Sequence, residues 1–221
     1  DFIMKKIAAL LCVLVGAMLF SFAGCSGGTF TEKSYASGGA AIEKVTVQVS
    51  DRELEIGASQ DGRVHIDYFD SEKEYLDISL SGKELTVKLV FDKDWTDYIG
   101  VKPSKEYRKI VIGLPDNLIS SFSADTTNEN IKVSSLSFTE QVSLDSNGGD
   151  VVCDRVNAGK AISLKAKDGD IRGTIVGGWD DFSIVCTIKK GDSNLPASKD
   201  GGEKSLTADC NNGDIDIEFV A

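Results

Sequence analysis

The sequence predicts an all-β chain wound as a β-helix or β-roll of stacked 20–22-residue units, and three observations carry that prediction. An acid or amide follows a turn at Asn130, Asp150, Asp170, Asp192 and Asp214, at spacings of 20, 20, 22 and 22 residues. Apolar and small residues fall into matched columns around those positions. Beyond the N-terminal apolar run, no segment of ten or more residues shows the 3.6-residue period of a helix. A fixed period of this length means that one small unit stacks on the next.

Residues 1–24 stand apart from the fold. Met4-Lys5-Lys6 is a short basic start, Ile7 to Ala23 is an uncharged apolar run, and Phe22-Ala23-Gly24-Cys25 closes it. This is the pattern of a secretory signal with small residues before the cut. Seventeen apolar residues sit at the lower edge of a bilayer span, which takes about 20, and no basic stop-transfer cluster follows. Small-small-Cys at that place resembles the lipobox of bacterial lipoproteins, with Phe22 where leucine is usual. The resemblance implies that Cys25 is lipidated and becomes the new N-terminus, making the chain an extracytoplasmic, lipid-anchored protein. A plain signal peptide and a membrane span are the alternatives.

Cleavage there removes Lys5, Lys6 and Asp1 and leaves 22 basic and 34 acidic residues, a net charge of −12. Such a balance disfavours nucleic acid and anionic lipid surfaces, which need a basic face. It leaves cations and basic polymers open, beside the plainer reading of a solvated acidic surface. Residues 25–41 are punctuated by Gly and Ser without an apolar period and read as a flexible tether.

Residues 42–117 read as a β-rich N-terminal portion. Val45, Val47 and Val49 alternate with polar neighbours, as do Leu54 and Ile56, then Val64, Ile66 and Tyr68. Leu76, Ile78 and Leu80 lead into a turn at Ser81-Gly82-Lys83, and Leu85, Val87 and Leu89 return from it. After an irregular stretch around Trp95, Ile110, Ile112 and Leu114 form another strand, closed by Pro115.

Residues 118–221 carry the repeats, and residues 42–221 read as one continuous domain. Eight residues before each marker stand Phe122, Val142, Ile162, Ile184 and Leu206; one after stand Ile131, Val151, Ile171, Ser193 and Ile215. Three after come Val133, Cys153, Gly173, Leu195 and Ile217, and six after Leu136, Val156, Val176, Ser198 and Val220. Apolar positions two apart give each unit two short strands with one face inward. Asn147-Gly148 and Asn212-Gly213 could also close isolated hairpins, but hairpins need no fixed period. One coil cannot stand alone: ordering its 20 or so residues costs about 1–2 kcal/mol each, against about 1.5–3 kcal/mol for each of five or six inward side chains.

The β-rich first half, the strand ending in Leu114-Pro115 and the Gly-Asp-Val/Ile units at Gly149, Gly169 and Gly213 resemble the bacterial putative-adhesin family, a domain of unknown function. The resemblance covers residues 42–221. It implies a right-handed β-helix and an envelope or surface location, and it carries no catalytic residues.

The residues that could carry chemistry are few. Asp150, Asp170, Asp192 and Asp214 would stack about 5 Å apart and repel by about 0.8 kcal/mol per pair even in water, so the column needs a cause. One cause is turn capping by each Asp through its own backbone; the other is a hard cation such as Ca²⁺. No other cofactor is suggested. Cys153, Cys186 and Cys210 all fall in inward columns, which reads as three buried thiols rather than a disulfide with one left over. His65, the single histidine, falls on the outward side of a strand, and Arg155 and Arg172 read as isolated.

The two longer units place their extra residues at one corner, in 177–183 and 199–205. The first displays Trp179-Asp180-Asp181, which either binds a sugar or cationic partner or folds back over the end of the helix. The function that follows is a non-catalytic, lipid-anchored binding or adhesion module, with a cell-envelope polysaccharide or protein as partner and no nucleic acid. An envelope scaffold or stress-response accessory touching a membrane protein is the alternative, and a cell-wall glycan enzyme the third.

Overall fold

The computed structural model describes residues 29–92 and 102–221; the signal, Cys25 and the Trp95 stretch lie outside them. The first strand is β1 (Thr31–Ala36), followed by a coil of β2 (Lys44–Gln48) and β3 (Glu53–Ala58). Next come β4 (His65–Asp70), a hairpin of β5 (Glu74–Ser81) and β6 (Glu84–Phe91), and β7 (Lys109–Leu114). The marked repeats begin with β8 (Ser121–Thr126), β9 (Ile131–Ser134) and β10 (Ser137–Phe138), then β11 (Gln141–Ser146) and β12 (Val151–Ala158). β13 (Ala161–Asp168) and β14 (Ile171–Val176) form the next coil. β15 (Phe182–Lys190) and β16 (Ser198–Lys199) precede the last, β17 (Lys204–Asn212) and β18 (Ile215–Val220).

These strands build a β-helix-like solenoid of two facing sheets. One runs β1-β4-β7-β3-β9-β12-β14-β18, the other β16-β15-β17-β13-β11-β8-β2-β6-β5. Between coils the pairing is parallel and in register. In one file Leu85, Val45, Phe122, Val142, Ile162, Leu206 and Ile184 lie over one another. Facing it, Ile110, Leu54, Ile131, Val151, Ile171 and Ile215 make a second file, and all thirteen side chains are buried. Each returns about 1.5–3 kcal/mol on burial, and stacking shares that core between coils.

Stack order differs from chain order. The coil of β2 and β3 sits between that of β6 and β7 and that of β8 and β9, so residues 42–117 supply two coils of the same solenoid. Likewise β17 and β18 insert between the coil of β13 and β14 and the segment containing β15. The columns are preserved because each coil offers the same inward residues, whichever neighbour it meets.

Two expectations are corrected. Residues 31–36, read as part of the tether, form β1, which pairs antiparallel with β4 along its whole length. Its inward alternation is Thr31, Lys33, Tyr35, and only Tyr35 is apolar and buried, so no apolar period announces it. Ser37 ends the strand, its buried Oγ accepting from the Val64 N–H at 3.1 Å. The last column also shifts by one: Val156 pairs with Ile175 rather than Val176, because β12 bulges at Arg155, whose φ is 51°.

At one end both sheets finish in antiparallel strands, β5 on β6 and β4 on β7; at the other β16 lies antiparallel on β15, while the facing sheet finishes in the parallel strand β18 with a bridge from Ser193. Short or reversed edge strands interrupt the template that an open parallel edge offers to another chain.

Candidate functional site

The two insertions meet at one corner of the distal end. Residues 179–181 form a short 3-10 turn, with the Gly178 N–H donating to Asp181 Oδ2 at 2.7 Å. Gly202 of the second insertion packs so tightly against the Asp181 carbonyl that a Cβ would come within 2.5 Å of it. Trp179 and Phe219 meet edge to face, with centroids 5.5 Å apart and planes at 89°, and Phe219 leans on buried Phe182 at 5.3 Å. Lys199 Nζ stands 5.5 Å from the Trp179 ring centre and donates to the Phe182 carbonyl at 2.8 Å.

Trp179 therefore does part of each expected job. It covers the end of the core through Phe219, yet 43% of it stays exposed beside exposed Asp180 and Asp181. Phe219 and Lys199 were not singled out from the sequence. The only hint of Phe219 was its place in the final alternating strand.

The acidic column forms a ladder whose chemistry differs from capping within one turn. Asn130 Oδ1 accepts from the Asp150 N–H at 2.8 Å, and Asp150 Oδ1 from the Asp170 N–H at 3.0 Å. Asp170 Oδ1 accepts from the Asp214 N–H at 3.0 Å, and Asp214 Oδ1 from the Asp192 N–H at 2.8 Å. Each side chain thus caps the backbone of the next coil, not its own. The expected repulsion is offset at its centre by Arg172, which reaches Asp150 at 2.8 Å and Asp170 at 3.2 Å, so Arg172 is not isolated. Among the described residues no group of three or more His, Cys, Asp or Glu converges as a metal site would. Asp170→Asn keeps an acceptor, as Asn130 does, and should change stability by less than about 0.5 kcal/mol. Asp170→Ala orphans the Asp214 N–H and should cost about 1 kcal/mol. Urea titration of the two variants separates the ladder from a requirement for negative charge.

Cys153, Cys186 and Cys210 are free and buried. Burial pushes the Cys153 thiol up to about 12, and it raises Cys210, whose Sγ donates to the Gly169 carbonyl at 3.3 Å. A buried thiol with a raised pKa is a poor nucleophile. Maleimide treatment followed by peptide mass spectrometry should leave all three unlabelled in the folded protein and label all three in denaturant.

His65 is partly exposed, with Nε2 2.7 Å from Asp61 Oδ1. Ser59 flanks the same Gly113, but its buried Oγ makes no hydrogen bond, so the three do not form a relay.

A family model described as Toastrack DUF4097 matches residues 42–221. No curated protein matches the chain. Among solved structures the chain is similar to a putative cell adhesion protein from Clostridium sporogenes, at 13% identity and a TM-score of 0.59, over 86% of this chain and 100% of that one. A putative adhesin from Bacteroides fragilis is 14% identical, with a TM-score of 0.36, over 87% and 97% of the two chains. At these identities the first likeness speaks to the fold alone.

Proposed function

The chain belongs to the Toastrack DUF4097 family, and from that membership we propose that it is a non-catalytic binding or adhesion module, lipid-anchored through Cys25 on the outer side of a bacterial cell membrane. The basic start, apolar run and small-small-Cys sequence support the anchor, and the relative in fold described as a putative cell adhesion protein supports a surface role. The observation that carries the binding reading is the Trp179 corner. An indole held between Phe219 and Lys199 yet 43% exposed offers contact area with little ordering left to lose. Exposed Asp180 and Asp181 beside it suit sugar hydroxyls or a cationic group.

The test is retention of the mature protein on isolated cell-wall material. Trp179→Ala should reduce retention at least tenfold, about 1.4 kcal/mol, in a chain that still folds and melts only a few degrees lower for the lost ring contact, about 1 kcal/mol. Equal retention of a folded Trp179→Ala variant would remove the corner from the reading. Capture of a membrane protein without wall retention would favour the scaffold alternative.

A further inference from the structure

The strand found where a tether was expected brings the body of the protein close to its anchor. Thr29 follows Cys25 by four residues, and four residues span at most about 14 Å. The headgroup layer on each side of a bilayer is itself roughly 5–8 Å deep. The end of the solenoid that holds β1 must therefore lie at the lipid surface whenever Cys25 carries lipid.

That end has a composition suited to such a place. Phe30 stacks on Tyr107 with ring centres 5.1 Å apart and planes within 8°, and Phe69 meets Tyr107 edge-on at 5.4 Å. On the neighbouring hairpin Tyr75 and Phe91 are each 39% exposed. An open cleft of about 650 Å³, bordered by Thr29, Lys33, Glu72 and Tyr75, lies beside the point where the chain enters β1. Aromatic rings with an apolar body, some with a polar tip, are the side chains that settle at the headgroup level.

The long faces of the solenoid expose single aliphatic side chains, Val111 and Val185, among polar ones rather than a group of rings. The outer side of one sheet carries ion pairs such as Lys109–Glu55 and Lys132–Glu53, both at 2.7 Å. The outer side of the other carries a file of hydroxyls through Thr86, Thr46, Ser123, Ser143, Ser163 and Thr207. Laying either face on lipid would strip water from charged pairs on one side and from a file of hydroxyls on the other.

We propose that the end formed by β1, β4 and β5 is a membrane-docking surface for the headgroup layer of the bilayer that holds the anchor, and that it stands the solenoid upright. This rests on the lipid-anchor reading above. The lipid supplies the attachment, and the aromatic end sets the direction. The sheet running from β16 to β5 has nine strands, which at about 4.8 Å per step lifts the Trp179 corner roughly 35–40 Å from the membrane.

The experiment uses the full lipidated chain in phosphatidylcholine vesicles doped with a headgroup spin label, a neutral surface that the negative charge of the chain does not oppose. A fluorophore is placed by Glu72→Cys at the docking end or by Asp200→Cys at the far end; both positions are exposed and the three internal thiols are buried. The expected result is loss of fluorescence at position 72, with position 200 behaving as it does in buffer. Equal quenching at both positions would mean that the solenoid lies flat, and would overturn the proposal. No quenching at either, in chain that floats with the vesicles, would overturn it while leaving the anchor intact. Chain that fails to float, as Cys25→Ser should, would take down the anchor and this proposal together. Phe30→Ser with Tyr75→Ser should bring the quenching at 72 and at 200 closer together while flotation persists, because the short leash still holds β1 near lipid but nothing fixes the direction of the stack.

Discussion

Gly169→Ala is expected to lower the melting temperature by roughly 6–12 °C, a loss of about 3 kcal/mol at the upper end of overpacking costs in a chain of this size. A Cβ on Gly169 would stand 2.4 Å from the Gly149 carbonyl oxygen and 2.5 Å from its carbon. Both atoms are backbone and belong to the coil beneath, so no side chain can rotate away. The same conflict recurs along the stack, where a Cβ on Gly149 would meet Glu129 at 2.2 Å and one on Gly213 would meet Gly169 at 2.3 Å. Coils separated here would also stretch the acidic ladder one residue further on. Gly57→Ala is the control, since its Cβ position is open. It should be neutral or stabilising by about 0.4–1 kcal/mol, through the unfolded chain. If the two alanine variants melted together, close approach of the coils would not be the reason for glycine before the ladder residues.

That result bears on what could be read from the residues alone. Asp150, Asp170 and Asp214 marked the period, and the columns they define are the files of the structure, with Val151, Ile171 and Ile215 in one line. Their preceding glycines looked like turn residues; only the neighbouring carbonyl shows the steric demand. A repeat predicts register, because register is a property of each unit. It does not predict which unit lies next to which, since the inward residues of β15 and β17 are interchangeable to the strand that receives them. β1 carries no apolar signal because its alternation is mostly polar, and Arg155 shifts a column by adopting a left-handed φ that no sequence rule for arginine anticipates. The Trp179 corner was legible as two insertions in phase. The contacts that hold its indole were not, since Phe219 lies 40 residues away in the chain.

Arg52→Ala should be the most damaging change in the N-terminal coils, costing about 3–5 kcal/mol at neutral pH, the range for stripping one partner from a buried ion pair. Arg52 is 2% exposed and Glu74 4%, and their side chains form a salt bridge. Nothing in the spacing suggests the pair, since Arg52 sits in the turn between β2 and β3 while Glu74 opens β5. The guanidinium also faces Asp70, whose carboxyl is held above the usual carboxylate range mainly by burial, against the pull of the Leu76 N–H, Lys33 and Arg52. A raised folded pKa means that Asp70 favours folding fully only below its unfolded value of about 3.9, and loses that contribution as pH rises through the folded value. Taking Arg52 away raises it further. The deficit of Arg52→Ala should therefore be largest near pH 7 and shrink towards pH 4, as the Asp70 carboxyl takes up its proton. Replacing the pair together, Arg52→Met with Glu74→Leu, should recover most of the loss, because an apolar substitute needs no counter-charge. Denaturant titrations of the single and double variants at both pH values decide the matter. A deficit below about 1 kcal/mol would show that the pair contributes no more than a surface bridge, and one unchanged by acid would show that Asp70 plays no part in it.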